Sequence, residues 1–216
     1  MNTLSSALSS AVPMDRRERE KQRKCLELLA IAERVFALRG FHGASMEEIA
    51  KEAEYATGAL YRYFESKEVM YVGILERKLE ELVDVLQETT EGIQNPLEKI
   101  QTSVRTQLEY ASRNLEFIQI YFRENMETMR DNKHWVRVEE LKQKLLHLRA
   151  SFIREGQKAG IFRKGDPYTY AAALNGMLAG VVQDWAMRQQ VGSLEDLTNF
   201  MITLHMQGIC QKTEIH

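Results

Sequence analysis

Residues 36–70 read FALRGFHGASMEEIAKEAEYATGALYRYFESKEVM, and this run decides the fold. It opens at the end of a helical pattern. Between about Arg16 and Arg39 the apolar residues Leu28, Leu29, Ala32, Val35 and Phe36 recur at the spacing of one helix face. Gly40 is placed to end that helix, because glycine accepts the left-handed backbone of a helix terminus. Ser45-Met-Glu-Glu48 then has the form of a capping box, in which the hydroxyl takes an orphan backbone N–H and the glutamate reaches back. Met46, Ile49, Ala50 and Ala53 continue it as a short amphipathic helix. A break at Glu54-Tyr55-Ala56 leads to a third short helix over Thr57 to Tyr63. Ser66 caps a fourth, from Lys67 toward Thr90, with Met70, Ile74, Leu75, Leu79, Leu82 and Leu86 along its apolar stripe.

Two short helices joined by a tight turn behind a longer bracing helix form the helix-turn-helix arrangement. Leu60 and Phe64, four apart, point into a small core with Ile49 and Ala50. Thr57, Gly58, Tyr61, Arg62 and Tyr63 are left on or beside the outer face, where a recognition helix meets base edges and phosphates. Arg62 suits a bidentate pair with guanine. Gly58 lets the backbone approach DNA, and Tyr61 and Tyr63 offer hydroxyls to phosphates and flat contact to thymine methyls. Lys67, in the first turn of the next helix, reads as a phosphate clamp, with Ser45 and the N-terminal arm as further phosphate contacts.

The same run resembles the TetR family pattern: a Gly-aromatic pair (Gly40-Phe41), a Ser cap (Ser45), an Ile-Ala pair (Ile49-Ala50), and a Leu-Tyr-x-aromatic-Phe run (Leu60 to Phe64) closed by Ser66-Lys67-Glu68. The resemblance covers about the first third of the chain; the remainder matches in length and helix count. It implies an all-helical homodimer that binds a palindromic DNA operator, represses transcription and releases the operator on binding a small molecule. The chain departs from the pattern at Ala53-Glu54-Tyr55, where many members carry Ala-Gly-Val. It also has Ala56 where a capping Ser is common and Ala59 where Thr is common. A glutamate in the turn costs energy where positive φ is needed. The resemblance therefore carries the motif and leaves individual base contacts open.

Outward from this run, five more helices are predicted, at roughly 97–112, 115–130, 135–159, 167–190 and 194–211. Breaks fall at Asn95-Pro96, Gly160, Gly165-Asp166-Pro167 and Gly192-Ser193. No segment alternates with period two, so the expected class is all-α, with about nine helices. The expected organisation is an arm over 1–14, a helix-turn-helix domain over 15–66, and a helical ligand-binding and dimerisation domain over 67–216.

A hydrophobic content of 44% in 216 residues supports a buried core, and the net charge of −2 would not suggest a nucleic-acid partner. The balance hides a local cluster: Arg16, Arg17, Arg19, Lys21, Arg23 and Lys24. Interleaved with Asp15, Glu18 and Glu20, it reads both as a DNA arm and as a solvated helix face with i,i+4 pairs. Cys25 and Cys210 stand in no metal-ligand spacing, and a reducing cytoplasm is expected. The opening MNTLSSALSSAV lacks the basic start of a secretory signal, and no stretch approaches the length of a membrane span.

The segment 171–180, AAALNGMLAG, is rich in small residues, with Gly176 and Gly180 one turn apart; it permits close helix crossing in a dimer or inside one chain. The last helix carries Leu197, Phe200, Met201, Leu204 and Ile209, a stripe suited to a four-helix bundle across a two-fold axis. The middle helices are rich in large adaptable side chains. Phe117, Tyr121, Arg123, Met126, Asn175, Gln183 and Trp185 are the candidate ligand contacts, a mostly apolar set with a few polar anchors. Each also fits ordinary packing. The run Asp184-Trp-Ala-Met-Arg-Gln-Gln190 looks somewhat like that of the family's acyl-CoA-responsive regulators, and hydrophobic drug-like compounds are the other effector class the resemblance implies. Arg123 facing inward would favour anions, and inward acidic residues would favour cations. Two other readings remain: a DNA-binding or architectural protein with no ligand, and a helical enzyme. Against the enzyme, no HExxH, P-loop, nucleophile elbow or dinucleotide fingerprint occurs, and the five histidines are scattered. No cofactor or metal is expected.

Overall fold

The structure, a computed structural model, describes residues 15–123, 134–188 and 193–210. Nine α-helices follow one another among them: α1 (Arg16–Gly43), α2 (Met46–Glu52), α3 (Thr57–Leu60), α4 (Lys67–Thr90), α5 (Pro96–Arg113), α6 (Leu115–Arg123), α7 (Trp135–Lys158), α8 (Pro167–Met187) and α9 (Leu194–Ile209). The one strand-like feature among the described residues is an isolated antiparallel bridge between Phe162 and Cys210. The sixth helix, predicted to 130, is described to Arg123; its remainder lies outside the described residues.

Local chemistry explains the helix ends. Asp15 caps α1 by accepting from the backbone N–H groups of Arg17 and Glu18. Gly40 breaks the helical path at φ 71°, and one more turn forms beyond it, so α1 runs to Gly43 rather than stopping at Arg39. Asn95 and Asp166 cap α5 and α8, each followed by a proline whose missing N–H costs nothing in a first turn. Ser193 caps α9.

The chain divides into two compact units, one from Met1–Lys78 and Ile120–Glu139, the other from Leu79–Gln119 and Glu140–His216. In the first, Leu28, Ala32, Phe36, Ile49, Leu60, Phe64 and Met70 make a core closed to solvent. Phe36 and Phe41 each meet Tyr71 edge to face, with centroids 6.0 and 5.2 Å apart, and are tilted against each other at 5.4 Å. Glu33 on α1 ties down the middle of α4, meeting Arg77 at 2.5 Å and Lys78 at 3.1 Å. Gly73 lets the two helices approach, since a Cβ there would stand 3.2 Å from Leu29.

In the second unit α5 packs on both α8 and α9, and α8 on α9. Ile100, Val104, Leu108, Ile153, Leu174, Leu178 and Met201 are its buried centre. The chain leaving α7 turns back over its own helix. The Phe162 ring lies where a Cβ on Gly156 would be, only 2.1 Å away. Arg163 fastens this turn to the end of α9, donating from its backbone N–H to Ile209 O at 2.8 Å and from Nε to Cys210 O at 3.0 Å. Cys25 and Cys210 are both free thiols.

Candidate DNA-reading element and interior polar centre

The capping box predicted at Ser45 is present in both halves. Ser45 Oγ accepts from Glu48 N–H at 3.1 Å, and Ser45 N–H donates to Glu48 at 3.2 Å. This fixes the start of α2, whose Met46, Ile49 and Ala50 are buried. The turn to α3 passes through Glu54 at φ 57°, so a glutamate adopts the left-handed backbone usually left to glycine. Tyr55, just after it, packs edge to face on Tyr63 with centroids 6.4 Å apart. No side chain caps α3 at Ala56, and the helix proper ends at Leu60, with a turn through Tyr63 in place of the longer predicted helix.

Leu60 and Phe64 are fully buried, as their spacing predicts, which turns the rest of the element outward. Gly58, Tyr61 and Arg62 are exposed; Thr57 and Tyr63 are half-buried beside them. A Cβ on Gly58 would meet nothing within 4 Å, so the fold itself does not need a glycine there. Lys67 is placed differently from a free clamp. Its ammonium donates to the carbonyls of Phe41 at 3.0 Å, Ala44 at 3.1 Å and His42 at 3.5 Å, and lies 4.7 Å over the Phe41 ring. Those three carbonyls occupy all three donors of a lysine and hold the α1–α2 connection against the start of α4. The basic stretch of α1 is an exposed face carrying the i,i+4 pairs Lys24–Glu20 and Arg23–Glu27.

The candidate effector residues are dispersed. Phe117 is buried, Tyr121 is half-buried against the Phe122 ring, and Arg123 is exposed. Met126 lies outside the described residues. Trp185 is buried, and its Nε1 meets no hydrogen-bond partner among the described residues. Gln183 is exposed, in line with Ala172, Ala173, Gly176, Ala179 and Gly180 on an outer stripe of α8. Added Cβ atoms at Gly176 and Gly180 would meet open space. On α9 the predicted stripe divides: Met201 and Ile209 enter the core, while Phe200 and Leu204 stay 57% and 45% exposed.

Asn175 belongs to a centre that sequence reasoning mostly missed. Arg149, on α7, is fully buried. Its two terminal nitrogens donate to Asn175 Oδ1 on α8 and Gln107 Oε1 on α5. Among the described residues its Nε meets no partner, and neither does Nε2 of buried His205 on α9. Burial lowers the guanidinium pKa to about 9, still above neutrality, so its charge persists at pH 7. His205 is pushed down to about 4 by burial and then by the charge of Arg149, and is neutral there. A signal did exist: Arg149 falls in step with Leu141, Leu145 and Ile153 on the core face of α7, an arginine in an apolar register.

An outward reading element on a capped two-helix brace, joined in one chain to a helical unit with a buried polar centre, defines a helix-turn-helix regulator. The profile described as "Bacterial regulatory proteins, tetR family" matches residues 28–74, and that described as "Tetracyclin repressor-like, C-terminal domain" matches residues 94–209; the chain belongs to the TetR family. It is similar to the fatty acid metabolism regulator protein of Bacillus subtilis, 24% identical over 210 residues that span 90% of this chain and all of that protein. It is 28% identical to the HTH-type transcriptional repressor KstR2 of Rhodococcus jostii over 137 residues, 63% of this chain and 67% of that one. Its fold matches the transcriptional regulator FadR from Bacillus subtilis in complex with stearoyl-CoA with a TM-score of 0.75 at 21% identity, covering 85% of this chain and 98% of that one. The protein is thus a DNA-binding transcriptional regulator and not an enzyme, of a family whose members dimerise and respond to small effectors. Among the described residues no helix is long and apolar enough to cross a membrane, and no group of side chains is suited to a metal ion.

Proposed function

We propose that this regulator is a cytoplasmic repressor that binds a palindromic operator as a homodimer and leaves it when a small apolar or amphipathic effector of the fatty-acyl class binds the helical unit. The outward set Thr57, Gly58, Tyr61, Arg62 and Tyr63 over buried Leu60 and Phe64 carries the DNA reading. Arg62 is the base-reading cation, and Ser45 adds a phosphate contact through its hydroxyl hydrogen while its oxygen caps α2. Lys67 serves the interface by holding the reading element in place. The outer stripe of α8 and exposed Phe200 and Leu204 of α9 support a dimer contact through the last two helices, with recognition elements about 34–36 Å apart on successive turns of DNA.

A fatty-acyl effector is supported by the relative named for fatty acid metabolism and the stearoyl-CoA complex of a structural neighbour. The positive interior at Arg149 suits an anionic or polarised ligand and opposes a greasy cation. We assign Phe117, Asn175 and Trp185, all of the second unit, to effector binding. Gln183, on the same helix as Asn175 and Trp185, completes the proposed set. α4 is the proposed lever: it supplies Lys67–Lys78 to the first unit and continues into the second. An effector must favour one conformation to shift anything.

The test is fluorescence anisotropy on DNA from upstream of the gene, over a salt series, with and without acyl ligand. The wild type is expected to prefer this DNA over scrambled sequence and to weaken steeply with salt. Arg62→Ala is expected to cost about 1–3 kcal/mol of operator affinity with unchanged thermal stability. Equal affinity with and without acyl ligands would remove the effector reading, and sequence-indifferent binding would remove the operator reading.

A further inference from the structure

Among the described residues, Arg149 is a buried cation met by neutral groups alone. Both acceptors it reaches, Asn175 Oδ1 and Gln107 Oε1, are amide oxygens, and burial is what lowers its pKa. Residues a turn away on the four contributing helices, Val104, Leu145, Ile153, Leu178 and Met201, are buried and apolar. An uncompensated ion in such surroundings costs several kcal/mol even after relaxation. A guanidinium carries five N–H donors, of which the two amides take two. The unpartnered Nε–H remains, together with the second hydrogen on each terminal nitrogen. Nε–H and a neighbouring terminal N–H form the fork that matches a carboxylate. Neutral His205 adds an unpartnered ring nitrogen and no second positive charge, so the centre carries a charge of plus one.

We propose that Arg149, flanked by Gln107, Asn175 and His205, anchors the single carboxylate of an apolar monocarboxylic acid whose hydrocarbon part lies against the surrounding apolar side chains. This rests on the acyl-effector reading above and narrows it to a free acid. One carboxylate neutralises one guanidinium. A head group with several phosphates brings charges that a lone arginine leaves unpaired in the interior, each with its own desolvation cost. A neutral alcohol leaves the arginine uncompensated, and a cation is repelled.

The test titrates the full chain with laurate and palmitate, with dodecanol and hexadecanol as neutral counterparts, and with palmitoyl-CoA, following ligand affinity and thermal stability. In the wild type the carboxylates are expected to bind about tenfold or more tighter than the matched alcohols. In Arg149→Met that preference is expected to vanish, while the ligand-free protein melts no lower than wild type because an unpaired buried charge has gone. Should the methionine variant not fold, Arg149→Gln keeps a hydrogen-bonding side chain without the charge and gives the same readout. Equal binding of carboxylate and alcohol by the wild type, or an unchanged preference in the variants, overturns the proposal. Palmitoyl-CoA binding with both carboxylates inert overturns it too, and leaves the acyl-effector reading standing. Carboxylate binding that depends on Arg149 with no change in operator affinity does the reverse: this site stands and the effector reading falls.

Discussion

In the DNA-reading unit, the cations close to the core are answered within the fold. Lys67 meets three backbone carbonyls, and Glu33 meets both Arg77 and Lys78. In the C-terminal unit Arg149 lies deeper and, among the described residues, meets only two neutral amides. The first unit must present one rigid surface to a fixed partner, so its polar groups are used to hold geometry. The second, on the reading proposed here, leaves hydrogen-bonding capacity unspent for something that comes and goes. The contrast separates polar groups that stabilise the fold from polar groups that the fold sustains at a cost.

The largest effect that would sharpen this contrast belongs to Lys67. Lys67→Met removes three charge-assisted hydrogen bonds and is expected to cost about 2–3 kcal/mol of unfolding free energy, measured by urea denaturation. A variant of unchanged stability whose salt dependence of DNA binding falls by about one unit would instead make Lys67 a phosphate contact, and the contrast would weaken.

The next effect is the acid sensitivity of the second unit. His205 is held neutral in the fold, its pKa lowered from 6.5 to about 4, so the unfolded chain takes up a proton first as pH falls. Its contribution is therefore fully present above pH 6.5, is lost as pH falls toward 4, and changes little below that. The expected slope is about 1 kcal/mol per pH unit in that window. Arg149 is the charged group that acts on it, beside neutral Gln107 and Asn175. Comparing the stability–pH curves of wild type and His205→Gln isolates this term; parallel curves between pH 4 and 6.5 would show that it is absent.

The smallest effect sits in the turn of the reading unit. Glu54 holds a positive φ that glycine adopts freely, so Glu54→Gly is expected to raise stability by roughly 0.5–1 kcal/mol. A calorimetric rise in melting temperature with unchanged operator affinity would show that the glutamate's strain serves no DNA contact. A loss of affinity would show that its side chain or its stiffness does.

The two units also differ in how much could be read from the chain. Ser45 and Glu48 are three residues apart, and Leu60 and Phe64 are four, so the capping box and the buried face follow from helix geometry alone. The strained turn was legible as Glu54 standing where glycine is usual. The role of Lys67 was not, because its carbonyl partners lie 23 to 26 residues earlier and meet it only when α1 and α4 pack. On α9, periodicity marked Phe200, Met201, Leu204 and Ile209 as one stripe, and packing split it into core and surface.

The sequence by itself determined the helical class, the capped brace, the outward face beside Leu60 and Phe64 and the family resemblance, since all of these rest on contacts within one or two turns or on a contiguous motif. Only the tertiary structure shows that Lys67 meets the carbonyls of the α1–α2 connection, that Gly176 and Gly180 face outward, and that Arg149, Gln107, Asn175 and His205 converge. Those four come from four helices, and nothing local to any of them encodes the meeting. A lone arginine on an apolar face shows that a charge is buried, but what it faces depends on how the helices pack.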